Sequence, residues 1–367
     1  MKIGITGADG FIGFHLRARL HALKQHESVH ATRAQFASPQ ALKEFVRDLD
    51  WLVHLAGMNR GSDSEVEGVN VRLAQDLVTA LERTRSRPSL VFSNSMHMDR
   101  DTAYGRGKRA AAEIFSKWAA DSGAKFINLV LPHVFGEFGK PNYNSVVATF
   151  CHQLANNLDA QIQVDGQLEL IHAQDAAIHC LDVLTRPETG QIRVSGKLIK
   201  VSELLRRLLS LKKQYLAQIV PDLGDALDLR LFNTLRSYLY PDYYPVPIAL
   251  RSDSRGALFE AVKTHQGGQT FLSSTYPGIT RGNHFHMRKV ERFLVVAGEA
   301  EIKLRKLFSN EVKSFRVHGA HPCYIDMPTF HAHAITNVGK SDVTTMFWAN
   351  EIFDPNDSDT FPEAVQP

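Results

Sequence analysis

The first thirteen residues constrain the fold more than any other stretch of this chain. Lys2–Thr6 reads as a short buried strand. It runs straight into Gly7-Ala8-Asp9-Gly10-Phe11-Ile12-Gly13, a GxxGxxG turn. Phe14, Leu16, Leu20 and Leu23 then follow at helical spacing among Arg17, Arg19 and Lys24. Strand, glycine turn and helix N-terminus in this order open a doubly wound parallel α/β sheet and form a dinucleotide site. The glycines let the backbone turn sharply and approach a pyrophosphate, whose charge the free N–H groups and the helix dipole then hold. Gly7, Gly10, Phe11, Ile12 and Gly13 are the expected contacts.

The next elements extend this reading. Ser28–Thr32 reads as the second strand and ends at Arg33. That position lies about twenty residues past the glycines, where an NAD site carries an acidic residue for the ribose 2′-hydroxyl. Arginine suits a 2′-phosphate, so the expected cofactor is NADPH. Leu42–Leu49 looks helical, and Trp51–Gly57 is a buried strand ending in small residues, so that Leu55 and Ala56 let backbone pass close to the cofactor. Asn70–Leu81 is a helix with Val71, Ala74, Leu77, Val78 and Leu81 on one face. Leu90–Ser95 is a strand ending in hydroxyls.

Tyr104 and Lys108 follow, at i and i+4, and share a helix face. A nearby ammonium moves the phenol towards working pH. A hydroxyl at the end of the preceding strand, Ser95 with Ser93 as the competing choice, can hold a carbonyl oxygen. Such a set serves hydride transfer to a ketone, and Tyr104 and Lys108 also face the cofactor.

The chain has 367 residues, room for more than one core, with 44% hydrophobic and 22% charged residues, as in a soluble globular protein. A net charge of +3 does not call for nucleic acid. Cys151, Cys180 and Cys323 are few and widely spaced, which speaks against a disulfide framework. No signal peptide and no membrane span are read, so the cytoplasm is expected.

Phe126–Leu131 is a further strand and leads to Pro132-His133-Val134-Phe135-Gly136. The glycine opening, His54-Leu55-Ala56-Gly57, the serines at 93–95, Tyr104 with Lys108 and the 132–136 stretch together resemble an extended short-chain dehydrogenase/reductase. The resemblance covers roughly residues 1–240. It implies a Rossmann-type fold, a nucleotide-linked sugar as substrate, and Ser95, Tyr104 and Lys108 as the catalytic set. Asn142 and Asn144 would then lie in the substrate-binding part, where amides suit a sugar or uracil. Val201–Leu211 and Asp228–Tyr240 read as helices, after which Pro241, Pro245 and Pro247 break the periodicity. The expected division is a reductase domain over 1–243 and a second domain over 244–367.

From about residue 250 short strands separated by turns replace the alternation: Phe259–Val262, Gln269–Ser274, Arg292–Val296 and Ala300–Leu304. This reads as an antiparallel sandwich or barrel. His284 and His286, two apart, point the same way on a strand, and Glu291 begins the next one. Imidazole and carboxylate suit a first-row divalent ion. The full pattern from Gly278 to Gly298, G-x5-H-x-H-x4-E-x6-G, resembles the first cupin motif. A weaker second motif runs from Pro328 to Asn337, with Phe330 in place of the usual glycine. By resemblance His333 is the last ligand, with His331 the alternative, and zinc the first choice of metal.

Both domains together resemble the bifunctional enzymes of UDP-N-acetyl-L-fucosamine synthesis, which serve bacterial capsule and O-antigen. The stretches 143–151 and 293–298 also resemble strings of that family. The resemblance implies a UDP-linked 4-keto-6-deoxy-N-acetylhexosamine as substrate. The cupin would epimerise C3 and the reductase would then reduce the C4 ketone with NADPH, giving a UDP-N-acetyl-L-talosamine-type product. The chemistry is coherent, since a C3 proton is acidic only while C4 is a ketone. Two alternatives stand beside it: a reductase whose cupin only captures substrate, and a non-catalytic NADPH-binding protein. His331, Tyr324, Lys303 and Arg281 are candidates for the cupin's acid and base. A homodimer is expected.

Overall fold

The computed structural model describes residues 1–254 and 256–366. The chain condenses into two compact units that interleave along the sequence. One is Met1–Phe135 with Gly166–Lys200; the other is Gly136–Asp165 with the chain from Val201 onward.

The first unit contains β1 (Lys2–Thr6), α1 (Phe11–Leu23), β2 (Glu27–Ala31), α2 (Arg33–Ala37), α3 (Pro39–Val46), β3 (Trp51–His54), α4 (Asp63–Thr84), β4 (Ser89–Ser95), α5 (Ala103–Ser122), β5 (Phe126–Leu131), β6 (His133–Phe135), β7 (Gln167–His172), α7 (Ala173–Thr185), β8 (Gly190–Arg193) and β9 (Lys197–Lys200). Six strands form a parallel sheet in the order β2-β1-β3-β4-β5-β8. Successive side chains of a strand face opposite ways, so one sheet feeds two cores. Ile3, Ile5, Val53 and Ile127 pack with Leu16 and Leu20 of α1 and Val183 of α7. Leu52, Leu90 and Phe92 pack with Leu77 and Leu81 of α4 and Phe115 and Trp118 of α5. From β1 the chain goes to one side for β2 and to the other for β3. The strand order therefore reverses between β1 and β3, and the crevice beyond their C-terminal ends is where such sheets bind ligands.

Helix α4 begins seven residues before the expected Asn70. Its first turn is polar and shows no apolar period, but Ser62 and Glu65 form a reciprocal capping box that starts it.

The second unit contains α6 (Val146–Ala155), α8 (Val201–Leu216), β10 (Ile219–Val220), α9 (Ala226–Leu239), β11 (Val246–Pro247), β12 (Arg251–Asp253), β13 (Gly256–Leu258), β14 (Lys263–Thr264), β15 (Gln269–Thr275), β16 (Thr280–Phe285), β17 (Glu291–Ala297), β18 (Glu299–Lys306), β19 (Val312–His318), β20 (Cys323–Met327), β21 (His331–Asn337), β22 (Val343–Ala349) and β23 (Phe361–Pro362). Its centre is a cupin β-barrel of two antiparallel sheets, β11-β20-β17-β22-β15 and β19-β18-β21-β16-β23. They share one core, in which Leu294, Ile325 and Phe347 of the first meet Ile302, Leu304 and Ile335 of the second.

The expected strand Phe259–Val262 is not one: these residues run between β13 and β14 without ladder partners. Phe259 and Ala261 pack against the barrel core. Burying alternate side chains needs packing and not a hydrogen-bonded neighbour, so alternation misleads here.

A buried polar network joins the helices of this unit to its barrel. Arg292 grips Asp326 bidentately at 2.7 and 2.9 Å, and Tyr215 donates to the same carboxylate at 2.7 Å. Arg236 donates to Met327 O at 2.5 Å and to Asn233 Oδ1 at 3.0 Å. Burial alone would raise the Asp326 carboxyl; Arg292 and Arg236 outweigh it and hold it below its usual range. Asp326→Ala leaves Arg292 buried and unpaired. The expected cost is about 3–5 kcal/mol, read as a lower urea midpoint for unfolding of this unit.

Candidate functional site

The glycine turn is built for close approach. Gly7 has φ 68°, and a Cβ there would lie 2.7 Å from Ala56 N. A Cβ on Gly13 would lie 2.2 Å from Gly7 O. Gly10 caps α1 with no side-chain acceptor, so Phe11, Ile12 and Gly13 at its first turn keep their N–H groups for an anion. Leu55 N and Ala56 N donate to Thr6 O and Thr6 Oγ1, which draws the end of β3 against the turn. Arg33, exposed, is the first residue of α2, set beyond β2 by the Thr32–Gln35 capping box. A backbone cradle with no room for side chains, followed by an exposed guanidinium at the end of β2, fits a phosphorylated dinucleotide.

Beside it, Thr102 caps α5 by accepting from Gly105 N, and Tyr104 and Lys108 lie one turn apart. Lys108 is only 5% exposed. Its Nζ donates to Ser93 O at 2.7 Å and lies 4.4 Å from the centre of the Phe92 ring. Burial depresses its pKa to about 7. Ser95 ends β4, and its Oγ accepts from His97 N at 3.2 Å, leaving its proton to donate. Ser93 is buried and presents its carbonyl to Lys108.

An amide row here escapes sequence reading. Asn94 Oδ1 accepts from Ser95 N at 2.8 Å, Asn94 Nδ2 donates to Asn128 Oδ1 at 3.0 Å, and Asn128 Nδ2 to Gln191 Oε1 at 3.0 Å. The available signal is Asn128 itself, a polar residue inside the otherwise apolar β5.

In the barrel, His284 on β16, His286 just beyond it, Glu291 at the start of β17 and His333 on β21 come together. One ligand atom from each lies within 4.8 Å of the others. His286 Nε2 and His333 Nε2 lie 3.1 and 3.4 Å from Glu291 Oε2. The other nitrogen of each ring faces a backbone carbonyl: His286 Nδ1 lies 2.6 Å from Asp359 O, and His333 Nδ1 lies 3.1 Å from His331 O. This fixes the tautomers and turns both Nε2 atoms to the centre. His333 Nε2 is buried without a well-formed hydrogen bond. Burial lowers His333 to about 4. Burial would raise Glu291, but the facing imidazoles of His284, His286 and His333 hold it well below the carboxylate range. Three imidazoles, one of them with an orphaned nitrogen, and one carboxylate fit a divalent ion such as zinc.

His331 does not join this set. Its Nδ1 lies 2.9 Å from Thr329 O and its ring packs 4.6 Å from Tyr240. A cavity of about 420 Å³ opens over the cluster, lined by His284, His286, Glu291, Arg281, Lys289 and Glu351 among others. Of the four acid–base candidates only Arg281 lines it; Lys289 and Glu351 are residues that sequence reading missed. Asn142 and Asn144 are exposed in the second unit, on the loop before α6, where Asn142 N donates to Thr149 Oγ1 at 3.0 Å.

Residues 3–195 match the NAD dependent epimerase/dehydratase family, and residues 251–361 match the polysaccharide biosynthesis C-terminal domain. The chain is 32% identical over its full length to the UDP-2-acetamido-2,6-beta-L-arabino-hexul-4-ose reductase of Pseudomonas aeruginosa, covering 99% of that protein. The crystal structure of the capsular polysaccharide assembling protein CapF from Staphylococcus aureus aligns over 99% of this chain and 100% of its own. Its TM-score is 0.63 at 30% identity. The UDP-N-acetylglucosamine 4-epimerase of Bacillus cereus aligns over 66% of this chain and 96% of its own, with TM-score 0.54 and 18% identity, a likeness of fold alone. Among the described residues no helix is long and apolar enough to cross a membrane.

Proposed function

The chain belongs to the NAD dependent epimerase/dehydratase family, and from that premise we propose that it reduces the C4 ketone of a UDP-linked 2-acetamido-2,6-dideoxy-hexos-4-ulose with NADPH. Epimerisation at C3 in the barrel comes first. The product is of the UDP-N-acetyl-L-talosamine type, on the way to UDP-N-acetyl-L-fucosamine for a surface polysaccharide.

NADPH, when bound, supplies the hydride to C4. Gly7, Gly10, Phe11, Ile12 and Gly13 would hold its pyrophosphate, Leu55 and Ala56 would flank it, and Arg33 would meet the 2′-phosphate. Ser95, rather than the buried Ser93, donates a hydrogen bond to the C4 oxygen. Tyr104 delivers the proton to that oxygen, and the Lys108 ammonium makes the phenol more acidic. Asn142 and Asn144 are proposed contacts to the nucleotide-sugar. A divalent ion on His284, His286, Glu291 and His333, zinc by preference, would supply Lewis acidity to the barrel. The C3 proton is labile only while C4 is a ketone, so reduction ends the exchange and locks the new configuration.

Lys108 carries the reductase reading. A lysine buried to 5% exposure, one turn after a tyrosine and tied to the backbone of β4, has a high desolvation cost. A phenol that must give up a proton nearby accounts for keeping it there. The test is incubation with the UDP-linked 4-keto sugar in heavy water, first without NADPH. Deuterium at C3, followed by reduction once NADPH is added, is the expected result. Clean reduction without exchange would leave the barrel as a capture domain, and no turnover at all would overturn the reductase reading.

Two further results follow from single side chains. Arg33→Ala removes one charge-assisted contact, about 1.5–3 kcal/mol or roughly 10 to 100-fold in KM for NADPH, with NADH kinetics little changed. The pH profile should show Lys108. Its ammonium dominates below about 7 and the amine above, so reduction falls as the pH rises through that value. Lys108→Arg, which stays charged, should move this limb upward.

A further inference from the structure

Seventy-three residues beyond His286, the C-terminal segment returns and closes over the loop that carries the cluster. We propose that Asp359 is a positioning residue of the metal centre, holding His286 as an Nε2 ligand; this rests on the metal reading above.

The contacts are specific and buried. Asp359 is 6% exposed. Its carbonyl accepts from His286 Nδ1 at 2.6 Å. Its carboxylate accepts three consecutive backbone N–H groups, from Met287 at 3.2 Å, Arg288 at 2.9 Å and Lys289 at 2.8 Å. One side chain thus pins every residue between His286 and Val290, in a loop whose two ends are both in the cluster. Lys289 Nζ answers by donating to Ser358 O at 2.7 Å. The segment is itself fastened: Phe361 and Pro362 pair with Phe285 and His284 of β16. Arg305 donates to Val365 O at 2.9 Å and Ala364 O at 2.6 Å, and pairs with Glu363 at 2.5 Å.

An imidazole whose Nδ1 proton is held by a carbonyl offers its Nε2 lone pair and nothing else. Asp359 does this with its backbone, and its carboxylate holds the loop so that the lone pair points to the position that Glu291 also faces. Losing the carboxylate leaves three N–H groups unpaired, two of them buried, and lets the loop, and with it the ring, turn. Asp359 has φ 45°. Glycine and asparagine tolerate that left-handed backbone. Asp359→Gly therefore keeps the carbonyl bond and deletes only the carboxylate, while Asp359→Asn retains one acceptor.

The measurement is zinc affinity by chelator competition, together with the visible spectrum of the cobalt(II)-loaded protein, with circular dichroism and NADPH binding as folding controls. Asp359→Gly is expected to bind zinc about 10 to 100-fold more weakly and to shift the cobalt spectrum, with Asp359→Asn between it and the parent. Should Asp359→Gly fail to fold, Asp359→Asn decides by the same two readouts. Variants that match the parent in both would overturn the proposal and leave the metal reading intact. A parent protein that binds no stoichiometric zinc or cobalt would overturn both.

Discussion

Tyr104→Phe is expected to lower NADPH-dependent reduction by about 10²–10⁴-fold, the usual contribution of a positioned general acid, while C3 deuterium exchange continues. The phenyl ring keeps its shape at the start of α5, so the turn capped by Thr102 and the Lys108 contact to Ser93 O remain. Only the proton that should reach the C4 oxygen is lost. The expected split is therefore in kcat, with the KM for NADPH little changed. Stopped turnover measured at saturating NADPH, beside the proton-exchange spectrum of the same sample, checks both halves. Reduction at the parent rate would mean that Tyr104 is structural and that another group delivers the proton to the C4 oxygen. Loss of exchange along with reduction would mean that the two reactions share one proton-transfer group.

The double replacement His284→Ala/His286→Ala is expected to abolish C3 exchange, by more than about 100-fold, and to empty the barrel of metal. Two of the four proposed ligands go, and Glu291 and His333 alone would not hold a divalent ion tightly. The residues proposed for the reductase, the glycine turn after β1, Ser95 on β4 and Tyr104 and Lys108 on α5, belong to the parallel sheet and its helices, not to the barrel strands. A substrate already epimerised at C3 should thus still be reduced at the parent rate. Metal content by mass spectrometry and exchange by NMR are the readouts. Exchange that survives complete metal loss would assign the barrel's chemistry to its other groups, Lys289, Glu351 and Arg281.

Much of this is readable in the residues because the relevant contacts are local. The glycine turn is legible because strand, turn and helix are contiguous, and Gly7 and Gly13 are where a Cβ would strike backbone. Tyr104 and Lys108 are legible because i and i+4 share a helix face. His284, His286 and Glu291 are legible because a strand of period two and a short loop bring them together. The antiparallel barrel shows in its short strands, although Phe259–Val262 shows how burial alone can mimic one.

What the sequence by itself determines, then, is the fold of each part and the kind of chemistry it carries, since both are written in spacings of a few residues. Tertiary structure alone decides the rest. It separates His333 from His331, two side chains of identical chemistry two positions apart, by sending one to Glu291 and the other to Tyr240. It joins residues 136–165 and the helices after 201 to the barrel. It brings Asp359 to His286, Asp326 to Tyr215 and Gln191 to Asn128 across separations of 73, 111 and 63 residues. No local pattern encodes such meetings, because they come from the way whole elements pack, and a hydrogen bond formed there depends on every turn between its partners.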